Sequence, residues 1–254
     1  MESRKAPFEF HHRFWIIVGI FFLAFFCYRV DHVPIALFLA EKLAHRAPHL
    51  SVVAWMRIVF LVSAALVFLG AAIRAWGTSY LRTAVMHDKR VHSERLLADG
   101  PFRYVRNPLY LGNVIGAAGI GLLASRAGFF VLVFGLLIFC LRLISHEEKE
   151  LSAAQGESYR AYCKAVPRFI PSLWPRVPSA GNPPHWLDGF LGECWWFSFG
   201  VGGVALAFAF QLTHPMRVYW GVALGMGALG TLLHRTLLPP SKTGPAAKSS
   251  AHNN

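Results

Sequence analysis

The sequence predicts an all-α fold, a polytopic bundle of about six transmembrane helices, and three observations predict it. Of its 254 residues 55% are hydrophobic and only 15% charged, against roughly 25% charged in an ordinary soluble domain. Six apolar stretches, at about 13–30, 52–75, 108–125, 127–145, 190–210 and 217–237, approach the ~20 residues with which a helix crosses the hydrocarbon core. Of the 25 Lys and Arg, 19 fall in segments 1–13, 74–107, 142–188 and 235–254, which share one side if both termini are cytoplasmic. This is the positive-inside pattern of an integral, multi-pass membrane protein.

At the N-terminus Arg4, Lys5 and Arg13 precede the apolar run 14–26, like the first two regions of a signal peptide. No small-x-small site follows, so an uncleaved first span is expected. The stretch 33–43 is apolar but short and carries Glu41 and Lys42, which predicts an interfacial helix. Only Ser125-Arg126-Ala127 separates the third and fourth runs, so these two form a tight antiparallel hairpin. Gly112 with Gly116, and Gly221 with Gly225, have the spacing of close helix contacts. Cys27, Cys140 and Cys194 lie in or beside apolar runs, and none of the four cysteines has C-x-x-C spacing; they read as small buried hydrophobes.

Residues 1–238 read as a single membrane domain, with a catalytic core at about 77–175 and an extra helical pair at about 190–237. The tail 239–254, rich in Pro, Ser, Lys and Ala, reads as disordered. The net charge of +12 suits nucleic acid, lipid headgroups or acidic ligands. Because the basic residues alternate with apolar runs instead of covering one face of a soluble module, the expected partner is the lipid bilayer and not nucleic acid. Oligomeric state is not legible.

Two segments on the cytoplasmic side carry chemistry. In the first, Asp99-Gly100-Pro101 reads as a turn, and Asn107-Pro108 opens the third span, since Pro suits the first turn of a helix. Arg103, Arg106 and the amides of a helix N-terminus thus meet at the membrane surface, which favours a carboxylate or phosphate; the plainer alternative is anchoring among headgroups. In the second segment residues 142–152 continue the fourth helix. Adjacent Glu147 and Glu148 are costly to bury unless something cationic meets them. A ligand bearing an ammonium or sulfonium would serve; a solvated turn paired with Arg142 or Lys149 is the alternative.

Along 87–171 run, in order, Gly100-Pro-Phe-Arg103, Arg106-x-Pro108-x-Tyr110-x-Gly112, Gly119-x-Gly121, Glu147-Glu148, Gly156-x-x-Tyr159-x-x-Tyr162 and Val166-Pro167 to Pro171. No single piece is specific, but the ordered set resembles the integral membrane superfamily of isoprenylcysteine carboxyl methyltransferases and phospholipid methyltransferases. The resemblance implies S-adenosyl-L-methionine in a cytoplasmic pocket roofed by the two segments, and a lipid-like or small hydrophobic methyl acceptor that arrives through the bilayer. It implies cofactor contacts at His92, Tyr104, Asn107, Pro108, Tyr110, Gly112, Gly119, Gly121, Glu147, Glu148, Tyr159 and Tyr162. Catalytic roles fall to Arg106, Arg168 and Glu148. Asn107 departs from the common family form, which has His there, and leaves no titratable group at that position.

Methyl transfer is an in-line displacement for which the protein supplies alignment and desolvation. A carboxylate acceptor needs no general base, so the lack of a His–carboxylate pair favours one, with Arg103, Arg106 or Arg168 as its clamp. Phospholipid N-methylation and thiol S-methylation stay open, as, more distantly, do an NADPH-dependent sterol-type reductase and a non-enzymatic scaffold or transporter. No metal is expected: His87, His92 and His146 lack zinc-site spacing. Gly119-x-Gly121-x-x-Ala124 matches the dinucleotide fingerprint only as a string, since it lies inside an apolar run.

Overall fold

The computed structural model describes residues 12–87 and 98–238; His92 and the tail 239–254 lie outside them. The helices are α1 (Arg13–Phe26), α2 (Ile35–Arg46), α3 (Val52–His87), α4 (Pro108–Gly121), α5 (Arg126–Ala165), α6 (Trp186–Gly192), α7 (Cys194–Ala209) and α8 (Pro215–Leu237). Short 3-10 turns stand at Cys27–Arg29 and Gly100–Arg103. Among the described residues all named elements are helical, as expected. α3 is the hub, with α2, α4, α6 and α7 packed on it; α1 packs on α5 and α8 on α7.

The α3–α4 seam is built on glycine. A Cβ on Gly70 would stand 2.5 Å from the Gly112 carbonyl oxygen, and one on Gly112 2.7 Å from that of Gly70. Within lipid, where apolar burial adds little, such backbone approach is what fastens helices together. Further along, Ser63 Oγ donates to the Gly119 carbonyl at 2.7 Å, so the same seam satisfies a buried hydroxyl. Leu132, Leu136 and Cys140 of α5 pack with Ala24, Val67 and Ala117 in one buried cluster. On the opposite side of α5, Phe130, Phe134 and Ile138 are exposed, a stripe suited to lipid.

Among the described residues three helices are long and apolar enough to cross a membrane: residues 52–81 of α3, then α5 and α8; α6 with α7, bent by 60°, would make a fourth. The sequence predicts six such spans. α1 and α4 have 14 residues each, about 21 Å at 1.5 Å per residue, against a core of roughly 30 Å. The far end of α4 shows how a short helix ends in this fold. Tight turns return Leu122 N to Gly119 O, Leu123 N to Ile120 O and Ala124 N to Gly121 O. Residues 28–35 then cover the tip: Tyr28 Oη donates to Leu123 O at 2.9 Å, Ile35 N to Ala124 O and Arg126 N to Val33 O. Asp31 pairs with Arg126 at 3.1 Å. The protein's own loop thus supplies partners that water or headgroups would otherwise provide. The expected α4–α5 hairpin is present.

Two expectations need correction. Gly221 and Gly225 of α8 meet nothing within 4 Å, whereas Gly227 and Gly230 lie against Trp195 and Cys194. The buried face of α8 is the row Tyr219, Ala223 and Gly227, spaced four residues apart, and Gly221 and Gly225 fall off that row. Among the cysteines, only Cys140 is fully buried; Cys27, Cys163 and Cys194 are half-buried.

α5 runs well past its apolar part, to Ala165, and breaks at Gly156, whose φ of 60° and ψ of −130° are not helical. A side chain at positive φ is strained. The break turns the last two helical turns of α5 back toward the residues that precede α4.

Candidate active site

The turn before α4 is held from both sides. Gly100, at φ 53°, lets the chain turn beneath the Tyr80 ring, which a Cβ there would strike. Asp99 is buried and fastens the later segment 179–182. Its carboxylate accepts from Ser179 Oγ, from Ala180 N at 2.8 Å, and from Asn182 N and Nδ2 at 3.1 and 2.7 Å. Burial alone would raise its pKa, but these hydrogen bonds outweigh it and hold the carboxyl below its usual range. Arg103 Nε donates to Val177 O at 2.9 Å, Ser172 N to Tyr104 O and Arg106 N to Pro167 O. Residues 166–182 are therefore wrapped around residues 99–107. Beyond the Gly156 break, Tyr159, Tyr162 and Val166 pack together, and Tyr162 Oη donates to Phe102 O at 2.8 Å.

Between this collar and the membrane helices lies a cavity of about 620 Å³, within the roughly 300–1,000 Å³ of small-molecule sites. α1 contributes Arg13, Phe14 and Ile17 to its wall, α3 Arg74 and Leu81, α4 Pro108, Leu109, Tyr110 and Asn113, and α5 Leu143, Glu147, Glu148, Leu151, Gln155, Tyr159 and Tyr162. Phe102, Arg106 and Asn107 come from the turn. Phe14 is 65% exposed, so a single peripheral helix stands between the cavity and the lipid-facing side.

The adjacent glutamates have different partners. Glu148 is held by cations of the protein itself: Arg168 Nε lies 3.0 Å from Oε2 and Arg106 Nε 3.4 Å from Oε1, while Asn107 Nδ2 donates to Oε1 at 3.3 Å. Arg168 is in turn anchored on Ser145 Oγ at 2.9 Å. The alternative of a solvated turn paired with Arg142 or Lys149 does not describe Glu148. Glu147 accepts from Tyr110 Oη at 2.6 Å, and Arg13 of α1 stands in the same cavity wall. A cavity-wall carboxylate held by a neutral hydroxyl is a place for a cationic ligand. Among the described residues, the terminal nitrogens of Arg106 have no hydrogen-bond partner.

Of the residues proposed from the sequence, the cavity wall brings together Arg106, Asn107, Pro108, Tyr110, Glu147, Glu148, Tyr159 and Tyr162. Arg168 stands behind Glu148. Tyr104 lies outside the wall, against Trp76 with ring centres 5.8 Å apart. Gly112 and Gly119 are turned into the α3 seam, and Gly121 against Phe129 of α5. Their lack of a side chain serves helix packing, so none of the three stands beside the cavity. Arg103, proposed as a possible clamp, is spent on the collar.

The structure adds residues that sequence reasoning passed over. Arg74 makes a bidentate pair with Glu193, Nε to Oε2 at 2.7 Å and Nη2 to Oε1 at 3.0 Å. Thr78 Oγ1 donates to the same Oε1 at 2.9 Å, and Arg74 Nη1 to Asn113 Oδ1 at 2.6 Å. Glu193 is buried at the joint between α6 and α7, so the last helices reach the cavity through this one carboxylate. The available signal was an acid at the start of an apolar run and an asparagine inside one, both unusual in membrane segments. Arg57 donates to Ala207 O at 3.2 Å and is accounted for by packing. A second cavity of about 570 Å³ lies between α2 and α3, lined by Phe38, Leu43, Ile58 and Val62 among others, and holds no comparable polar constellation.

Comparison with known proteins bears on this same stretch. Residues 58–157 match the family model described as phospholipid methyltransferase. Over 93 residues the chain is 38% identical to Protein-S-isoprenylcysteine O-methyltransferase of Schizosaccharomyces pombe, which covers 35% of this chain and 38% of that protein. The resemblance read from the motifs is thereby borne out for the part of the chain that carries α3, α4, the turn and most of α5. No solved structure matches.

Proposed function

We propose that this chain is an S-adenosyl-L-methionine-dependent methyltransferase of the membrane, most like the isoprenylcysteine carboxyl O-methyltransferases, acting on a lipid-associated or small hydrophobic carboxylate. The observation that carries the reading is the contrast at the acid pair: Glu148 is held between Arg106 and Arg168, whereas Glu147 stands in the cavity wall and accepts from the Tyr110 hydroxyl. The donor set fits the cofactor. Glu147 offers a carboxylate for its ammonium or sulfonium, the tyrosines and leucines of α5 offer apolar and aromatic surface, and the cavity has the volume of a small-molecule site.

When bound, the cofactor supplies a methyl group already activated on a sulfonium. The protein's part is then placement. Tyr110 holds Glu147 in one orientation toward the cation. Glu148, itself held by Arg168, fixes the Arg106 side chain at its Nε, which leaves its terminal nitrogens as a fork for the acceptor's carboxylate. The apolar wall and the collar exclude water, which strengthens these charge contacts. The single membrane domain 1–238, six crossings and a cytoplasmic location for both termini and the cavity belong to this reading. They rest on the Lys and Arg distribution, with α1 and α4 completed by the turns and loops at their ends.

The test is purification in detergent, calorimetric titration with S-adenosylmethionine, and a labelled-methyl assay over prenylcysteine, phospholipid and thiol acceptors. Cofactor binding with transfer to the prenylcysteine carboxyl is expected. Transfer to a phospholipid amine or a thiol alone would move the reading to those branches, and no cofactor binding would end it.

A further inference from the structure

Along one face of α4 the polar side chains recur every third residue: Asn107, Tyr110, Asn113. Residues three apart on a helix are neighbours, so these form three rungs descending from the collar. The first rung meets Glu148 and the second Glu147, the acid pair of the cofactor reading. The third meets Arg74, held by Glu193, which lies outside the stretch that matches the family model.

The third rung has a defined polarity. A guanidinium only donates hydrogen bonds, so the atom of Asn113 facing Arg74 Nη1 is the amide oxygen, and its nitrogen must point elsewhere. Among the described residues no hydrogen bond engages that nitrogen, and Asn113 is half-buried in the cavity wall. Glu193 and Thr78 hold Arg74 from behind, and the Trp196 ring lies 5.6 Å from the guanidinium carbon. The result is a fixed pair of N–H donors beside a guanidinium already paired with Glu193, at the end of the polar face farthest from the turn. Such a place accepts an oxygen and disfavours an ammonium.

We propose that Asn113 is a specificity-determining contact for the headgroup of the methyl acceptor, taking a carboxylate or carbonyl oxygen, and that Glu193 is the positioning residue that orients it through Arg74. The helical pair beyond residue 186 thereby becomes part of the acceptor site. This inference rests on the methyltransferase reading and names which headgroup chemistry the same cavity admits.

The experiment measures binding separately from turnover. Full-length protein in detergent is titrated with N-acetyl-S-farnesylcysteine, with S-farnesylcysteamine, which has an amine and no carboxylate, and with S-adenosylmethionine. Asn113→Asp retains an oxygen for Arg74 and replaces the donors by a charged acceptor. Its affinity for the carboxylate ligand should fall about tenfold or more relative to the amine ligand, while cofactor affinity moves by less than about twofold. Glu193→Asp, which withdraws the carboxylate by one methylene, should shift the same ratio in the same direction by a smaller factor. An unchanged ratio in Asn113→Asp overturns the proposal, as does an equal loss of cofactor affinity, which would make the third rung part of the cofactor site. Wild-type protein that binds neither farnesyl ligand overturns it too. Protein that binds the carboxylate ligand selectively but transfers no methyl to any acceptor would sink the methyltransferase reading and leave the Asn113 contact standing.

Discussion

Two arginine–carboxylate centres border the cavity, and they are built differently. At Glu148 two arginines share one carboxylate, with side-chain exposures of 11% for Arg106 and 40% for Arg168. Their partners are residues of the turn and of the segment that follows α5. At Glu193 a single arginine binds both oxygens, with exposures of 17% and 6%, and joins α3 to the joint of α6 and α7. The first centre is a hinge of the collar, partly open to water. The second is a buried rivet. Burial raises the cost of removing one partner, so the second should dominate stability and the first should show itself in ligand binding.

Glu193→Gln is the sharpest way to break this comparison. It leaves Arg74 buried without a counter-charge and should destabilise the protein by about 3 kcal/mol, the lower end for a disrupted buried pair, read as a fall in the unfolding midpoint in detergent. Glu148→Gln should cost less, about 1–2 kcal/mol, because Arg168 can turn to solvent. Equal or reversed effects would remove the distinction between hinge and rivet.

Next in size is Glu147→Gln, which should leave the fold intact and weaken cofactor binding about tenfold or more, the scale of a charge-assisted hydrogen bond of roughly 1.5–3 kcal/mol. Calorimetry with the cofactor and with its demethylated product separates two cases. Equal weakening of both places the carboxylate on the ammonium; weakening of the methyl donor alone places it on the sulfonium. Arg106→Lys should lower methyl transfer roughly tenfold, since an ammonium cannot reproduce the guanidinium fork. A fully active Lys variant would return Arg106 to simple helix anchoring.

Smaller effects probe the collar. Gly156→Ala places a Cβ at φ 60° and should cost about 1 kcal/mol, although nothing lies within 4 Å of it. Asp99 titrates lower in the folded state than in the unfolded chain. Its stabilisation is therefore complete above the ordinary Asp pKa of about 4 and is lost as pH falls through the folded value. Unfolding midpoints measured from pH 6 downward should fall more steeply on the acid side for wild type than for Asp99→Asn; parallel curves would show that Asp99 does not contribute this acid dependence.

What was legible in the sequence divides along the same line. The turn at Asp99-Gly100-Pro101, the start of α4 at Pro108, the hairpin around Ser125 and the meeting of the Glu147-Glu148 and Arg106 segments around one pocket all follow from local rules or from an ordered motif. Helix lengths did not follow, because hydropathy reports how far an apolar run extends and not where a covering loop, such as residues 28–35 over the α4 tip, ends it. The use of Gly112 and Gly119 was misplaced for a related reason. A glycine announces close approach but not whether a helix or a ligand approaches. Arg74 and Glu193 are 119 residues apart, and neither belongs to a repeating pattern, so only the folded chain joins them.

The thin wall at α1 has a kinetic consequence. If Phe14 and Ile17 are all that separates the cavity from lipid, the acceptor enters sideways, and the concentration that governs turnover is its mole fraction in the bilayer. Adding inert lipid to proteoliposomes at a constant total amount of acceptor should then slow methyl transfer, while raising the aqueous volume should leave the rate per enzyme unchanged. The cofactor, arriving from water, should show the opposite dependence, so that one cavity obeys a two-dimensional law for one ligand and a three-dimensional law for the other.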